Sequence, residues 1–431
     1  MTAVLLTVGD ELLLGQVVNT NAAWLGEQLA LAGVSVTRAE TVGDAPEGIA
    51  AALERALGEV DLVLVTGGLG PTNDDVTKKA VADVFGVPLV HDPDVLAAVE
   101  ERFAARGRRM PPANRLIADV PEGFAVLPNR RGTAPGLWGE TTRAGRPRRV
   151  AVLPGVPYEM ETLFTEGVLP RVRALRPGVV LHRTLHTAGH GESDLEERLG
   201  DLSDVLSGGL SLAFLPSLGT VRLRVTARGE DTAEARARLD RAVAYIRDTL
   251  GGAVFGEGET TLEAALGELL VARGLTLAVA ESCTGGAIAA RLTAVPGASR
   301  YFSGGVIAYG NGVKVSLLSV GADALDAHGA VSEPVARQMA EGVRRALGAD
   351  LGVGVTGIAG PDGGTPEKPV GTVFLAVADA AGTRAVGLRL TNDRHVNIGL
   401  SATAALNLVR RRVLGITPAP EALLSAGAAA P

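Results

Sequence analysis

The sequence predicts an α/β protein in three parts, and three observations carry that expectation. Strand and helix signals alternate over roughly the first 165 residues, lapse from about 170 to 258, and resume from 259 to about 415. Strands that alternate with helices of this length imply β-α-β units and a parallel sheet. The boundaries are set at 1–168 for the first part, 169–258 for a small α+β module and 259–415 for the third. An Ala/Pro-rich tail, 416–431, is expected to be flexible.

In the first part "AVLLTVG" reads as a buried strand. "TNAAWLGEQLALAG" reads as an amphipathic helix with a Thr/Asn start and a Gly stop. "VSVTRAETV" alternates like a strand, "PEGIAAALERAL" starts a helix at Pro46, and "VDLVLVTGG" is another buried strand. "DDVTKKAVADVFG" adds a helix and "RPRRVAVLPG" a later strand. The middle module offers strands "VVLHRTLHTAG", "LSLAFLPSLG" and "TVRLRVTARG", with helices in "ESDLEERLGDL" and "TAEARARLDRAVAYIRDTLG". In the third part helix "TLEAALGELLVARG" leads to strand "LTLAVAES" and helix "GGAIAARLTA". Strand "GGVIAYG", helix "SEPVARQMAEGVRRALG", strands "DLGVGVTG", "GTVFLAVAD" and "RAVGLRLT", and helix "NIGLSATAALNLVRRRVLG" complete it.

Composition narrows the function classes. The 431 residues carry a net charge of -7, against a general nucleic-acid binder, and 3% aromatic content weakens any base-stacking role. One cysteine excludes an intramolecular disulfide framework and suits a reducing cytosol. The first residues, "MTAVLLTVGDELLLG", lack a basic n-region and are broken by Asp10 and Glu11, so no signal peptide is expected. No window reaches the ~18 apolar residues of a membrane span. A cytoplasmic protein without membrane or nucleic-acid partners is expected.

The chemistry concentrates in "AVAESCTGG", Ala278–Gly286, which sets a serine, the single cysteine and a threonine at the carboxyl end of a strand. Ligands bind at that edge of α/β sheets. Free N–H groups of the following helix would favour an anion or a developing oxyanion. An ordinary Ser/Thr helix cap is the competing reading. "GGVIAYGNGVK" places Tyr309 and Lys314 after the next strand. A desolvated, neutral lysine can serve a serine as base, whereas a solvated ammonium cannot. "GVTGIAGPDGGT" supplies a glycine loop that begins at Thr356 and suits phosphate, or is a plain turn. Gly352, Gly354 and Gly357 spell a literal G-x-G-x-x-G, with Asp379 beyond it. The first two sit inside a strand and Pro361 follows in place of a helix, against a dinucleotide site.

"AESCTGG", "GGVIAYGNGVK", "HGAVSE", "TGIAGPDGGTPEKPVGTV" and "NDR", in this order, resemble the nicotinamide-nucleotide amidase domain of the CinA (competence/damage-inducible protein A) family. The likeness covers roughly 260–412. It implies hydrolysis of the carboxamide of nicotinamide mononucleotide to nicotinate mononucleotide and ammonia, without a cofactor. It also implies Ser282 as nucleophile, Lys314 as base and Tyr309 as assistant. Thr284, Gly285, Gly286, Thr356 and Gly357 would line the nucleotide site, and Arg394 would hold the phosphate, where a guanidinium fork suits a dianion. Relatives carry a further arginine at the position that is Ile398 here, which places weight on Arg394. Cys283 is the rival nucleophile, and a small buried thiol the reading preferred for it.

"VTGGLGPTNDDVT" brings Gly67, Gly68 and Gly70 into a loop able to approach phosphates. Asp74 and Asp75 can hold a divalent ion, or simply complement a helix dipole. With Asp10, Glu11, Asp44, "RGTAPG" and "LPGVP", this part resembles the molybdopterin-binding-type domain that opens CinA proteins. The resemblance implies cleavage of ADP-ribose to AMP and ribose 5-phosphate with Mg²⁺ or another divalent cation, Asp44, Asp74 and Asp75 being the ligands. Asn114 and Arg115 are minor candidates.

The middle part resembles the KH-type module between the two CinA domains. KH modules bind RNA through a GXXG loop. No basic loop of that kind is visible, which favours a spacer. His182, His186 and His190 are evenly spaced, but Arg183 follows the first where a zincin needs glutamate. The expectation is therefore a bifunctional hydrolase acting on nicotinamide mononucleotide and ADP-ribose, and relatives imply a homodimer. The alternatives are a non-catalytic, nucleotide-binding, competence-associated partner protein and, from the first domain alone, a molybdopterin-handling protein.

Overall fold

A computed structural model describes residues 1–72, 75–175 and 178–416, in two compact units that divide after Val180. Strand β1 (Thr2–Val8) shows why the first unit is layered. Ala3 and Leu5 enter one apolar core, and Val4, Leu6 and Val8 enter another on the opposite face. A strand buried on both sides needs helices on both sides.

The chain supplies them in order. After α1 (Asp10–Leu13) and α2 (Thr20–Leu31) come β2 (Ser35–Val42), α3 (Pro46–Glu59), β3 (Leu62–Thr66) and α4 (Thr77–Phe85). There follow β4 (Leu89–His91), α5 (Pro93–Ala105), β5 (Asp119–Pro121), β6 (Ala125–Leu127), β7 (Gly136–Arg143), β8 (Arg146–Leu153), α6 (Pro157–Leu163) and α7 (Leu169–Ala174). The main sheet has the order β2-β1-β3-β8-β7-β6. Its first four strands are parallel, whereas β7 pairs antiparallel with both β8 and β6. The expected parallel sheet thus carries an antiparallel edge, because β7 and β8 form a hairpin with no room for a crossover helix. Ile49, Leu53, Val81, Val95 and Val99 cover one face; Leu25, Leu29, Met160 and Phe164 cover the other.

The second unit begins with the α+β module. Strands β9 (Val179–Ala188), β10 (Leu210–Ser217), β11 (Thr220–Gly229) and β12 (Val254–Glu257) lie in the order β10-β11-β9-β12, with α8 (Glu192–Leu199) and α9 (Thr232–Leu250). The third part contains α10 (Leu262–Arg273), β13 (Leu277–Glu281), α11 (Ala287–Thr293), β14 (Phe302–Ile307), α12 (Asn311–Leu318), α13 (Ala322–His328) and α14 (Glu333–Ala346). It ends with β15 (Leu351–Gly357), β16 (Thr372–Asp379), β17 (Gly382–Arg389) and α15 (Arg394–Val413). Its sheet order is β14-β13-β15-β16-β17. The three strands around β13 are parallel, and β16 and β17 are antiparallel. Leu277 and Val279 face the core under α10 and α15, whereas Ala278 and Ala280 face the one that includes α14.

The tip of the β10–β11 hairpin rests on α15. Leu218 occupies the space over Gly399, where a Cβ would lie 2.3 Å from its Cδ2. Thr403 Oγ1 donates to the Leu218 carbonyl at 3.4 Å.

The literal G-x-G-x-x-G has a packing cause. A Cβ on Gly352 would lie 2.1 Å from the Ala340 carbonyl oxygen, and one on Gly354 2.4 Å from that of Ala336. These glycines let α14 sit directly on β15. Asp379 is the bidentate partner of Arg412, with both contacts at 2.6 Å. Gly354→Val is expected to destabilise the unit by about 3 kcal/mol, since overpacking against rigid backbone is not relieved by side-chain movement. A urea midpoint equal to wild type contradicts this.

Candidate active site

The carboxyl ends of β13, β14 and β15 meet at one edge, because the three strands are parallel neighbours. Ser282 follows β13 and its N–H donates to the Val355 carbonyl at 3.0 Å. Ala308 and Tyr309 follow β14, and the Ala308 N–H donates to the Glu281 carbonyl at 2.7 Å. Thr356 and Gly357 end β15. A Cβ on Gly357 would lie 3.1 Å from Cys283 Sγ, so this strand end abuts the Ser-Cys-Thr turn.

Lys314 lies on α12, an element the sequence reading did not separate from the preceding strand. It is 1% exposed. Its Nζ is 3.1 Å from Ser282 Oγ, 2.7 Å from the Ala308 carbonyl and 3.1 Å from the Tyr309 carbonyl. Burial pushes its pKa below the ordinary 10.5, because a desolvated ammonium loses hydration. A Cys283 thiolate would oppose the shift, but burial drives that thiol up to about 12 and keeps it neutral. The same value makes Cys283 a poor nucleophile, as expected for a buried thiol.

Glu281 organises the turn and corrects one expectation. Its carboxylate is 1% exposed and accepts from the N–H groups of Gly286, Ile288 and Ala289 at 3.0, 3.1 and 2.8 Å. The first amides of α11 are therefore not free to receive a ligand anion. Among the described residues, the N–H of Thr284 makes no hydrogen bond and that of Cys283 meets only its own thiol, so these are the donors left next to Ser282. The buried Thr284 Oγ1 also lacks a partner. Gly285 and Gly286 adopt φ of +61° and +104°, which a side chain disfavours. An acid closing the otherwise apolar run "LTLAVAE" was the available signal for Glu281, since charged residues are seldom fully buried without partners.

Arg394 opens α15. It donates to the Gly360 carbonyl at 2.8 Å and to Tyr309 Oη at 3.2 Å, which joins the glycine loop to the tyrosine. Tyr309 is 60% exposed, so its ring face is open. Thr356 is buried and donates to the Ala330 carbonyl at 2.8 Å.

In the first unit Gly67, Gly68, Gly70, Glu11, Asp44, Asp75 and Glu159 line a cavity of about 400 Å³. The glycines fit their own surroundings closely. A Cβ on Gly67 would meet the Val8 carbonyl at 2.3 Å, and one on Gly68 would meet Thr77 Oγ1 at 2.2 Å. Thr77 is fully buried and its hydroxyl is unpartnered. Asp75 Oδ2 accepts from Thr72 N at 2.8 Å and Oγ1 at 2.5 Å, which turns that oxygen onto its own loop. Asp44 Oδ2 accepts from the Asp10 N–H at 2.9 Å. Asp74 lies outside the described residues, as do residues 417–431. Among the described residues, no three His, Cys, Asp or Glu side chains form a group able to hold a metal ion. Asp44 and Asp75 line the same cavity as Glu11 and Glu159. Glu159 escaped the sequence reading; it is buried and accepts from Asn129 Nδ2 at 2.7 Å. Asn114 and Arg115 lie in the 3₁₀ turn Pro112–Ala118, whose last carbonyls hold Lys78 Nζ at 2.5 Å (Leu116) and 3.3 Å (Ile117).

The three spaced histidines do not converge. His182 pairs with Thr226, His186 with the Gly258 carbonyl, and His190 with Asp194.

Family models match each part: "CinA C-terminal domain" over residues 259–413, "Damage-inducible protein CinA KH domain" over 182–256, and "Probable molybdopterin binding domain" over 4–174. A CinA-like protein of Salinibacter ruber is 53% identical over 412 residues, spanning 95% of this chain and 99% of the relative. The chain belongs to the CinA family. A CinA-like protein of Gemmatimonas aurantiaca is 48% identical over 411 residues, 94% of this chain and 95% of that relative. The crystal structure of CinA from Thermoplasma acidophilum, of unknown function, is 38% identical with a TM-score of 0.36, covering 40% of this chain and 97% of that one. The three-domain α/β architecture expected for a CinA protein is present. No helix among the described residues is long and apolar enough to cross a membrane.

Lys78 gives this CinA chain a measurable pH signature. Burial lowers its pKa to about 8, although the Asp119 and Asp75 charges oppose the shift. Between about 8 and 10.5 the unfolded chain keeps a proton that the folded one has released. Stability of the first unit is expected to rise with pH across that window, and Lys78→Met to flatten the rise. Denaturation midpoints at several pH values check it; equal slopes in both proteins contradict it.

Proposed function

We propose that the third domain is a nicotinamide-nucleotide amidase that uses a serine/lysine pair and no metal. The observation that carries this reading is the buried contact between Lys314 Nζ and Ser282 Oγ, with the two neighbouring carbonyls as the other partners of the amine. A neutral amine has two N–H bonds and one lone pair. The carbonyls of Ala308 and Tyr309 accept the two N–H bonds, which leaves the lone pair for the serine proton. Burial supports the neutral form.

The reaction follows from that arrangement. Lys314 takes the hydroxyl proton as Oγ attacks the carboxamide carbon. The N–H groups of Cys283 and Thr284 are suited to the oxyanion of the tetrahedral intermediate. The lysine returns its proton to the departing nitrogen, and ammonia leaves an ester on Ser282. Water, deprotonated by the same amine, attacks the ester, releases the nicotinate and restores the hydroxyl. Arg394 is suited to the 5′-phosphate, and the open face of Tyr309 to the pyridine ring.

The first domain is proposed to cleave the pyrophosphate of ADP-ribose with a divalent ion, and the chain to act as a homodimer. The former is supported by the glycine loop and four carboxylates around one cavity.

Purified chain is expected to release ammonia from nicotinamide mononucleotide in the presence of EDTA. Ser282→Ala and Lys314→Met should each lower the rate by about 10³-fold or more. The rate should rise with pH as the amine loses its proton, with a midpoint below the ordinary 10.5. Full activity in both variants overturns the mechanism, and nucleotide binding without turnover favours a binding protein. ADP-ribose cleavage that Mg²⁺ does not stimulate, or that Asp44→Ala leaves intact, overturns the reading of the first domain.

A further inference from the structure

Asn397 lies in the first turns of α15, on the face turned to the core, and is 1% exposed. An amide in that setting must satisfy two donors and two acceptor sites or carry a penalty. It satisfies all four at 2.9 Å. Oδ1 accepts from the N–H and the hydroxyl of Thr391, and Nδ2 donates to the carbonyls of Ala359 and Thr391. One side chain thereby fastens the start of α15 to the turn before it and to the loop after β15.

Arg394 sits between those fastenings. Its Nη1 rests on the Gly360 carbonyl, one residue beyond the Ala359 carbonyl that Asn397 holds. On the other side Thr391 Oγ1 accepts from the Asp393 N–H at 3.1 Å, and the Asp393 carboxylate caps the helix at the Val396 N–H at 2.9 Å. Among the described residues, the side-chain hydrogen bonds of Asp393 and Asn397 go to Val396, Thr391 and Ala359, and none goes to the Ser282–Lys314 pair. Ile398 packs against the core and brings no charge, so the guanidinium of Arg394 must be well placed to bind a dianion.

We propose that Asn397 is a positioning residue that fixes Arg394 against the glycine loop and so sets affinity for the phosphate end of the substrate. The identity of that substrate rests on the amidase reading; the network does not. An isosteric Asn397→Leu leaves the Ala359 and Thr391 carbonyls and the Thr391 N–H unpaired, which frees the loop and the arginine to move apart.

The test compares full-length wild type, Asn397→Leu and Arg394→Gln on nicotinamide mononucleotide and on nicotinamide riboside, which lacks the phosphate. Asn397→Leu is expected to raise KM for the mononucleotide at least ten-fold, with kcat within two-fold of wild type and kcat/KM for the riboside unchanged. Arg394→Gln should raise KM for the mononucleotide at least as much. A second readout needs no turnover: inorganic phosphate should protect Arg394 from phenylglyoxal in the wild type, and Asn397→Leu should need at least ten-fold more phosphate for equal protection. Equal losses on both substrates, an unchanged KM, or unchanged protection overturns the proposal. If the wild type releases no ammonia, the amidase reading alone fails and the protection assay still decides the role of Asn397. Should Asn397→Leu not fold, Asn397→Ser, which leaves room for a bridging water, replaces it in both assays with the same criteria.

Discussion

An ammonium group is among the least tolerable things to bury, and the third domain is arranged around one that is buried. Lys314 has left water for two backbone carbonyls and a hydroxyl. Those partners exist only because β14 ends where it does. The Ala308 N–H is tied to the Glu281 carbonyl, so the Ala308–Tyr309 turn, which offers the carbonyls, is locked to the strand end that offers Ser282. The contact therefore reports the register of two parallel strands. A shift of one residue would turn the serine to the other face and leave the amine with no hydroxyl. Burial lowers the lysine's pKa because losing the charge is the less costly escape from desolvation, and the proposed role as base requires that same loss.

The turn after β13 shows the same economy with the opposite charge. A helix N-terminus after a glycine pair invites an anion, and the anion that answers is the protein's own Glu281. What remains for a ligand is narrower: the two amides directly after Ser282. The charge thus stabilises the turn instead of a ligand, which fits the proposed substrate, a neutral carbonyl that becomes anionic only during reaction.

Much of this was readable from patterns along the chain, and the exceptions share a cause. Buried strands such as "VDLVLVTGG" and "LTLAVAES" stood out because both faces are apolar, and their ends placed the motifs at one sheet edge. The antiparallel edge formed by β7 and β6 did not stand out: a hairpin at the rim of a parallel sheet differs from its neighbours in partner, not in residue type. Gly352 and Gly354 mimic a nucleotide fingerprint because close helix packing and close phosphate approach both require a missing Cβ. Asn397 and Glu281 were passed over because their work is to saturate backbone groups distant in sequence, and no local spacing encodes that. For Asp75 the residue type marks the loop as polar, but its hydrogen bonds to Thr72 within that loop carry no periodic signal.

Lys78 supplies the internal control for the central contact. It too is buried, it too donates to two consecutive carbonyls, and its pKa is lowered by the same desolvation. The difference is the third neighbour. Around Lys78 the charges are the carboxylates of Asp119 and Asp75, which favour the ammonium, and among the described residues its hydrogen-bond partners are two carbonyls and no hydroxyl. Its bonds fasten α4 to the turn that ends at Ala118, a tether with no proton to exchange. Burial and paired carbonyls thus lower a lysine's pKa without making it a base. What separates Lys314 from Lys78 is a hydroxyl at 3.1 Å, placed at the carboxyl edge of a parallel sheet, which is the contact that the proposed base role requires.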